Sequence, residues 1–450
     1  MNLKRVTVGV AANVYDKLVI AGVQLLVVPV LAVHWGVEGY GAWVILAAVP
    51  SFLSVSDLGF ATAAGNQMTM LAARGMHADT VRVFQSAWAV ILTSSLFAVL
   101  GALLIVWSIP SVAWPSFSSM TPYSSRLTLS LLITYAVVSL QGSIFMAGFR
   151  CAGLFALGAF WSANTILFEN VCMVVVVILG YGPEYAAATL VAARIFALLV
   201  QNLLLRINVP WLKIGFEKAD RAEALGLLKP ALAVLAVPLG QAAFLQGSTL
   251  ALGAALSSMA VPVFTATRTF SRIGIQLTQL LTHAIMPEFS AAVARKDRRS
   301  EFLIVLLTVS VALAVALPFA IVLILFGPQL IALWTRQLII PGRELVALMA
   351  LTVVLGGFWS PLSNLILAIN RHAGFALPFL FLSAATIPMT FVCSRLIGPA
   401  GAALSVVVLD FIMCVVIVKQ AKTLFYRPDD PLQAIAGYLA GGLTRLRFWH

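Results

Sequence analysis

The 450-residue sequence predicts an all-α membrane protein, about twelve transmembrane helices in two six-helix lobes. Three observations predict it. Charged residues are only 10% of the chain and hydrophobic ones 61%, whereas a water-soluble domain carries about 25% charge; most of this surface must face lipid. Apolar stretches long enough to cross a bilayer recur along the whole length. The basic residues between those stretches alternate between two sides.

A span needs roughly 17–25 apolar residues. Such stretches fall at about 9–33, 40–67, 83–109, 125–149, 156–180 and 185–207, then at about 229–256, 261–287, 302–326, 343–369, 375–396 and 399–418. Turn and charge signals separate them: His34-Trp35-Gly36, Arg74-Gly75, Trp114-Pro115, Gly182-Pro183, Pro341-Gly342 and Gly398-Pro399. The first span follows Lys4 and Arg5 as a signal peptide would. Asn13, Asp16 and Lys17 interrupt its apolar centre, so it is expected to stay as a helix.

Charge fixes the count and the orientation. Lys4, Arg5, Arg74, Arg82, Arg150, Lys213, Lys218, Arg221, Arg295, Lys296, Arg298, Arg299, Arg371, Lys419, Lys422 and the C-terminal arginines fall on one side. Arg126, Arg336, Arg343 and Arg395 fall on the other. The positive-inside rule makes the richer side cytoplasmic. Both termini are then cytoplasmic, and one span more or fewer would scramble the alternation. The net charge of +12 is explained by these loops and calls for no nucleic acid. Residues 208–228 and the tail from Lys419 are amphipathic. Helices lying on the membrane surface fit both segments; a solvated linker and a frayed tail fit equally well. Cys151, Cys172, Cys393 and Cys414 lack disulfide, metal or redox spacing.

The two sets of six spans resemble each other. Ala147 and Arg150-Cys-Ala-Gly153 match Ala368 and Arg371-His-Ala-Gly374, Ala73-Arg74 matches Ala294-Arg295 at the same offset, and Cys172 matches Cys393. Gly182-Pro183 matches Gly398-Pro399 at a slightly shorter one. The expected organisation is a lobe at 1–207, a cytoplasmic linker at 208–228, a second lobe at 229–418 and a tail at 419–450. Six spans per lobe makes the repeat parallel, with a cavity between the lobes.

Gly39-Tyr40-Gly41-Ala42-Trp43, followed by Ser56-Asp57-Leu58-Gly59-Phe60 and Ala63-Ala64-Gly65-Asn66, resembles the YGxW and DLG pattern of polysaccharide-exporting flippases. These belong to the multidrug/oligosaccharidyl-lipid/polysaccharide (MOP) exporter superfamily. Val261, Phe264, Arg268 and Pro287-Glu288-Phe289-Ser290 are similar to that family too, with Phe264 where Tyr is expected. The resemblance implies a MOP flippase-like fold. It also implies transport of an undecaprenyl-diphosphate-linked oligosaccharide, such as an O-antigen, capsule or exopolysaccharide unit, from the inner to the outer leaflet. Its partners would be that lipid, the membrane and the polysaccharide polymerase machinery.

Ionisable groups deep in a span normally face a cavity or a partner. Arg268, Arg272, Lys17 and Arg194 are the candidate substrate-binding cations. Arg268 and Arg272 share a helix face and form a polar stripe with Gln276 and Gln279. Guanidinium groups match a diphosphate's oxygens in paired geometry. The alternative is that each cation pairs structurally with a buried carboxylate. Asp57, Asp16, Glu169 and Asp410 are candidates for proton or sodium coupling, or for gating in the case of Asp57. His283 and His372 read as interfacial, and Pro29, Pro50, Pro238 and Pro361 as bends or hinges.

The sequence contains no P-loop, HExxH, GxSxG or paired-cysteine motif, so no catalytic residue, metal or cofactor is expected. A membrane glycosyltransferase or polymerase would rest on Glu38 alone. A multidrug exporter on the same fold would favour acidic cavities for cationic drugs; a peptidoglycan-precursor flippase would share the mechanism.

Overall fold

The computed structural model describes residues 3–53, 59–111, 114–115, 117–369, 371 and 373–425, with side chains for all of these except 3–10, 13, 232–234, 280–284, 287, 373 and 423–425. Asp57, His372, the His283 side chain and the tail beyond Phe425 lie outside the described residues. Everything described is helix or connecting turn, apart from one isolated bridge between Phe117 and Met120. Among the described residues nine helices are long and apolar enough to cross a membrane, or ten with one bent pair.

Helix α1 (Leu3–Ala48) carries two of the expected spans. Gly36, at φ 72° and ψ 169°, breaks it; a left-handed φ there costs glycine nothing and any other residue strain. The chain reverses at that point: Tyr15 meets Asn164 on the way out, while Gly65 meets Arg150 after the return through α2 (Pro50–Leu53) and α3 (Phe60–Ala73). The amino-terminal half continues as α4 (His77–Ser108), α5 (Pro122–Cys151), α6 (Phe155–Ile178) and α7 (Pro183–Asn208).

The seventh pass is broken. It comprises α8 (Arg221–Val234), α9 (Ala236–Ala242), a π-helical turn (Ala243–Gly247) and α10 (Ser248–Ala255), with a 65° bend between the first two. Pro230 and Pro238 flank that bend, and each removes a backbone donor. Helix α11 (Ala260–Arg295) is long enough to cross but is made too polar for a simple hydropathy test by its arginines and glutamines. Helices α12 (Arg298–Trp334), α13 (Arg343–Ala368), α14 (Ala373–Ile397) and α15 (Pro399–Phe425) complete the chain. Asp297 caps α12, and hydrogen bonds from the Ser300 amide and hydroxyl hold its carboxyl below the usual carboxylate range.

Helix contacts repeat between the halves. α1 runs along α6, α5 along α7 and α6 along α7; correspondingly α9 and α10 run along α14, α13 along α15 and α14 along α15. The loops with Arg74, Arg150, Lys213, Arg295 and Arg371 gather at one end of the bundle, hereafter the basic end.

Residues 209–220 hold no helix, so of the two readings of 208–228 the surface helix does not apply to them. They are strapped to α4: Gln85 donates to the Lys213 carbonyl (3.0 Å) and accepts from the Lys218 amide (2.6 Å), Ser86 accepts from the Asp220 amide (2.8 Å), and Phe216 stacks on Trp88. Trp211 and Ile214 pack against the amino-terminal core beside Leu212, which is 1% exposed, while Phe216 stays 45% exposed. Helix α8 follows the same side, since Glu223 accepts from Gln67 (2.6 Å) and Leu227 and Ala231 join the amino-terminal core.

At the end opposite the basic loops, one apolar core joins both halves, with Val28, Leu31 and Trp43 alongside Ala266, Ile331 and Ile339. The Trp334 indole donates to the Leu25 carbonyl across it (2.8 Å). Pro29 leaves that carbonyl without its own helical donor, so the other half supplies one. Glu38 accepts from Ser118 at the same end. Toward the basic end the described cores are separate, one around Phe84 and Phe149 and one around Phe289 and Phe379.

Candidate functional site

A cavity of about 560 Å³ opens inside the carboxy-terminal half, between the bent seventh pass, α11, α13, α14 and α15. Arg268, Arg272, Gln276 and Gln279 all line it, so the polar stripe of α11 faces one chamber. Spacings of four, four and three residues put these groups on one helix face. Apolar walls come from Val237, Phe244, Phe375 and Phe379.

The two arginines do different things. Arg268 donates to the Leu245 carbonyl (2.7 Å), Ser248 Oγ (3.2 Å) and Thr249 Oγ1 (3.0 Å), and its guanidinium sits 5.0 Å from the Phe264 ring centroid. Leu245 lies in the π-helical turn, where the regular carbonyl ladder is interrupted. Arg268 therefore ties the broken pass to α11. Arg272, one turn further toward the basic end, makes no hydrogen bond or ion pair among the described residues. Neither arginine forms an ion pair with a described carboxylate. Among the described residues, structural neutralisation does not describe this pair.

Asp410 lines the same cavity and is 4% exposed. It accepts from the Trp359 indole (2.9 Å). Gln279 donates to Ser360 Oγ (2.5 Å). Of α13 the sequence pointed only to Asn364, as one of several intramembrane polar residues expected in part to line a wet cavity; Trp359, Ser360 and Ser363 line the chamber with it. The signal was available: a polar cluster around Pro361, on one face of an otherwise apolar span.

The remaining candidates lie elsewhere. Arg194 is ion-paired with Glu169 at 2.6 Å, and Tyr135 donates to Glu169 (2.6 Å) and accepts from Arg194 (2.9 Å). Glu169 is 1% exposed. This is the structural pairing weighed as the alternative, realised for Arg194 in the amino-terminal half. Asp16 and Lys17 pair with each other at 3.7 Å, with Lys17 48% exposed.

Removing one member of a buried ion pair leaves the other uncompensated, at a cost of about 3–5 kcal/mol. Glu169→Met or Arg194→Met alone is therefore expected to lower the amount of folded protein in the membrane sharply. The double substitution, which removes both charges, should restore it. Quantitative immunoblotting of membranes reads this directly; equal loss in single and double variants would contradict it.

The sequence matches no protein-family model and no curated protein. Solved structures resemble it in shape. One is the lipid II flippase MurJ in an inward closed conformation: TM-score 0.69, 14% identity, covering 92% of this chain and 87% of that one. Another is an inward-facing multidrug resistance MATE family transporter of the MOP superfamily: 0.64, 17%, covering 90% and 98%. An outward-facing MATE family transporter gives 0.58, 15%, covering 91% and 96%. At these identities the likeness is one of architecture: the chain shares the fold of these structures.

Proposed function

We propose that the protein is an alternating-access flippase for a polyanionic lipid, an undecaprenyl-diphosphate-linked oligosaccharide, in the bacterial inner membrane. The observation that carries this reading is Arg272: a guanidinium without a partner among the described residues, facing an apolar-walled chamber of about 560 Å³. An unpaired cation in such a setting is costly, which favours an anionic ligand as its partner. Arg268 holds the broken seventh pass in place beside it. In this reading Asp410, which lines the same chamber, takes a proton or sodium ion in step with substrate. The MurJ likeness, to a protein described as a lipid II flippase, supports a lipid-linked substrate.

The core joining the halves lies opposite the basic end. If basic loops are cytoplasmic, the lobes are closed toward the outside. The greater likeness to the inward-facing than to the outward-facing MATE structure supports this. Cysteines introduced near Trp114 and Gln337 should then be labelled from outside intact cells, and those at Arg74, Arg150, Lys213, Arg295 and Arg371 should not. External labelling at Arg150 or Arg371 would reverse the assignment.

Asp410 favours a second reading, a multidrug exporter, because an acidic group in an apolar chamber suits a hydrophobic cation. Proteoliposomes separate the two. The flippase reading expects translocation of a fluorescent polyprenyl-diphosphate oligosaccharide and no cationic-dye efflux; the converse would favour the exporter.

A further inference from the structure

We infer that the amino-terminal half holds a second ligand subsite, a pocket for a neutral polyhydroxylated ring. The inference extends the flippase reading to the glycan part of its substrate. The pocket lies in the gap between α5 and α6, floored by α7, and measures about 220 Å³. At about 30 Å³ per water in the liquid, that is room for roughly seven waters or one sugar ring.

Its lining is polar without net charge, because Glu169 neutralises Arg194. Ser139 Oγ donates to the Tyr135 carbonyl (2.7 Å) and Ser143 Oγ to the Leu140 carbonyl (2.6 Å), which leaves their oxygen lone pairs as acceptors. Gln201 is only 8% exposed and lines the pocket, yet its amide makes no hydrogen bond among the described residues. Ser162 makes none either among the described residues. The Gln201 amide therefore offers both a donor and an acceptor to an occupant of the pocket. The mixture of open donors and acceptors suits hydroxyl groups, each of which gives and receives. It does not suit an anion, which needs donors only.

The internal repeat supplies an independent argument. Ser139, Gly142, Ser143 and Met146 lie 221 residues before Ser360, Ser363, Asn364 and Leu367, which line the larger cavity. Arg194 lies 216 residues before Asp410, the offset that separates Gly182 from Gly398. The two chambers are thus the same pocket built twice. Among the described residues the carboxy-terminal copy leaves Arg272 without an ion-pair partner, while the amino-terminal copy has its charge cancelled by Glu169. One copy suits the diphosphate and the other the sugar.

Binding to the full-length protein in nanodiscs tests this, with bare polyprenyl diphosphate and the same lipid carrying one hexose or one N-acetylhexosamine. Two or three added neutral hydrogen bonds predict that at least one glycosylated lipid binds about tenfold tighter than the bare one. Gly142→Leu, which fills the pocket, should erase that difference and leave bare-lipid affinity intact. Gly142→Ala should keep it, because its Cβ would meet Gln201 and Leu198 at an ordinary 3.5 Å. Should Gly142→Leu also lose the bare lipid, the Ser139→Ala, Ser143→Ala double variant replaces it, with the same loss of discrimination expected. Equal affinity for all three lipids, or a preference that survives in the variants, would overturn the subsite and leave a pocket filled by water. Failure of wild type to bind any of the three would overturn the flippase reading itself.

Discussion

Arg272→Ala is expected to reduce export of the lipid-linked product by roughly 10- to 100-fold, with the protein still inserted at wild-type abundance. The estimate follows from losing charge-assisted hydrogen bonds of about 1.5–3 kcal/mol. Arg272 makes no bond that holds the fold together among the described residues, so abundance should not fall. Arg272→Lys should recover part of the activity, since an ammonium keeps the charge but loses the planar fork. Arg272→Glu should be worse than Ala, because it opposes the phosphates. Arg268→Ala should behave differently. It strips the donor from the Leu245 carbonyl, Ser248 and Thr249 in the bent seventh pass, so abundance and export should fall together. Measuring polymer export and membrane protein level side by side checks both expectations. Full export by a stable Arg272→Ala variant would contradict the assignment.

A second large effect is expected at Gly41. A Cβ built there would lie 1.9 Å from the Ser258 carbonyl oxygen, far inside van der Waals contact, and 3.1 Å from Pro262. Ser258 belongs to the turn between α10 and α11, so this glycine lets the two halves close on each other away from the basic end. Gly41→Val cannot be accommodated without separating them, since the obstruction is backbone and has no rotamer to escape to. The variant should stop transport almost completely. It should also expose to an impermeant thiol reagent a cysteine placed at Ala266, which is 0% exposed in the shared core. Trp334→Phe, which removes only the indole donor to Leu25, should produce a milder shift in the same direction. Unchanged labelling in Gly41→Val would show that closure at this contact does not control access.

Much of the architecture was legible because a lipid solvent allows few solutions: backbone groups must be satisfied within helices, so apolar runs and charge alternation nearly dictate the spans. The reversal at Gly36, the polar stripe of α11 and the repeat offset could all be read from residue spacing. Other features depend on partners distant in sequence. Nothing local distinguishes Arg194, which meets Glu169, from Arg272, which meets no carboxylate among the described residues; the difference arises from how α6, α7 and α11 pack. Arg268 looked like half of a phosphate clamp because its spacing from Arg272 is right. Its engagement with α10 depends on a π-helical turn that no periodicity announces. Residues 209–220 carry an amphipathic pattern that suits a membrane surface as well as a protein groove, and Gln85 and Trp88 decide for the groove.

The account stands most directly on whether a diphosphate lipid occupies the chamber beside Arg272. The measurement is the modification rate of a single cysteine at Gln276, one turn from Arg272, in protein whose four native cysteines have been replaced by serine. The account predicts that polyprenyl diphosphate slows the reaction at least tenfold, that Arg272→Ala abolishes the protection, and that a hydrophobic cation gives none. Protection by the cation instead, or diphosphate protection that survives Arg272→Ala, would contradict it.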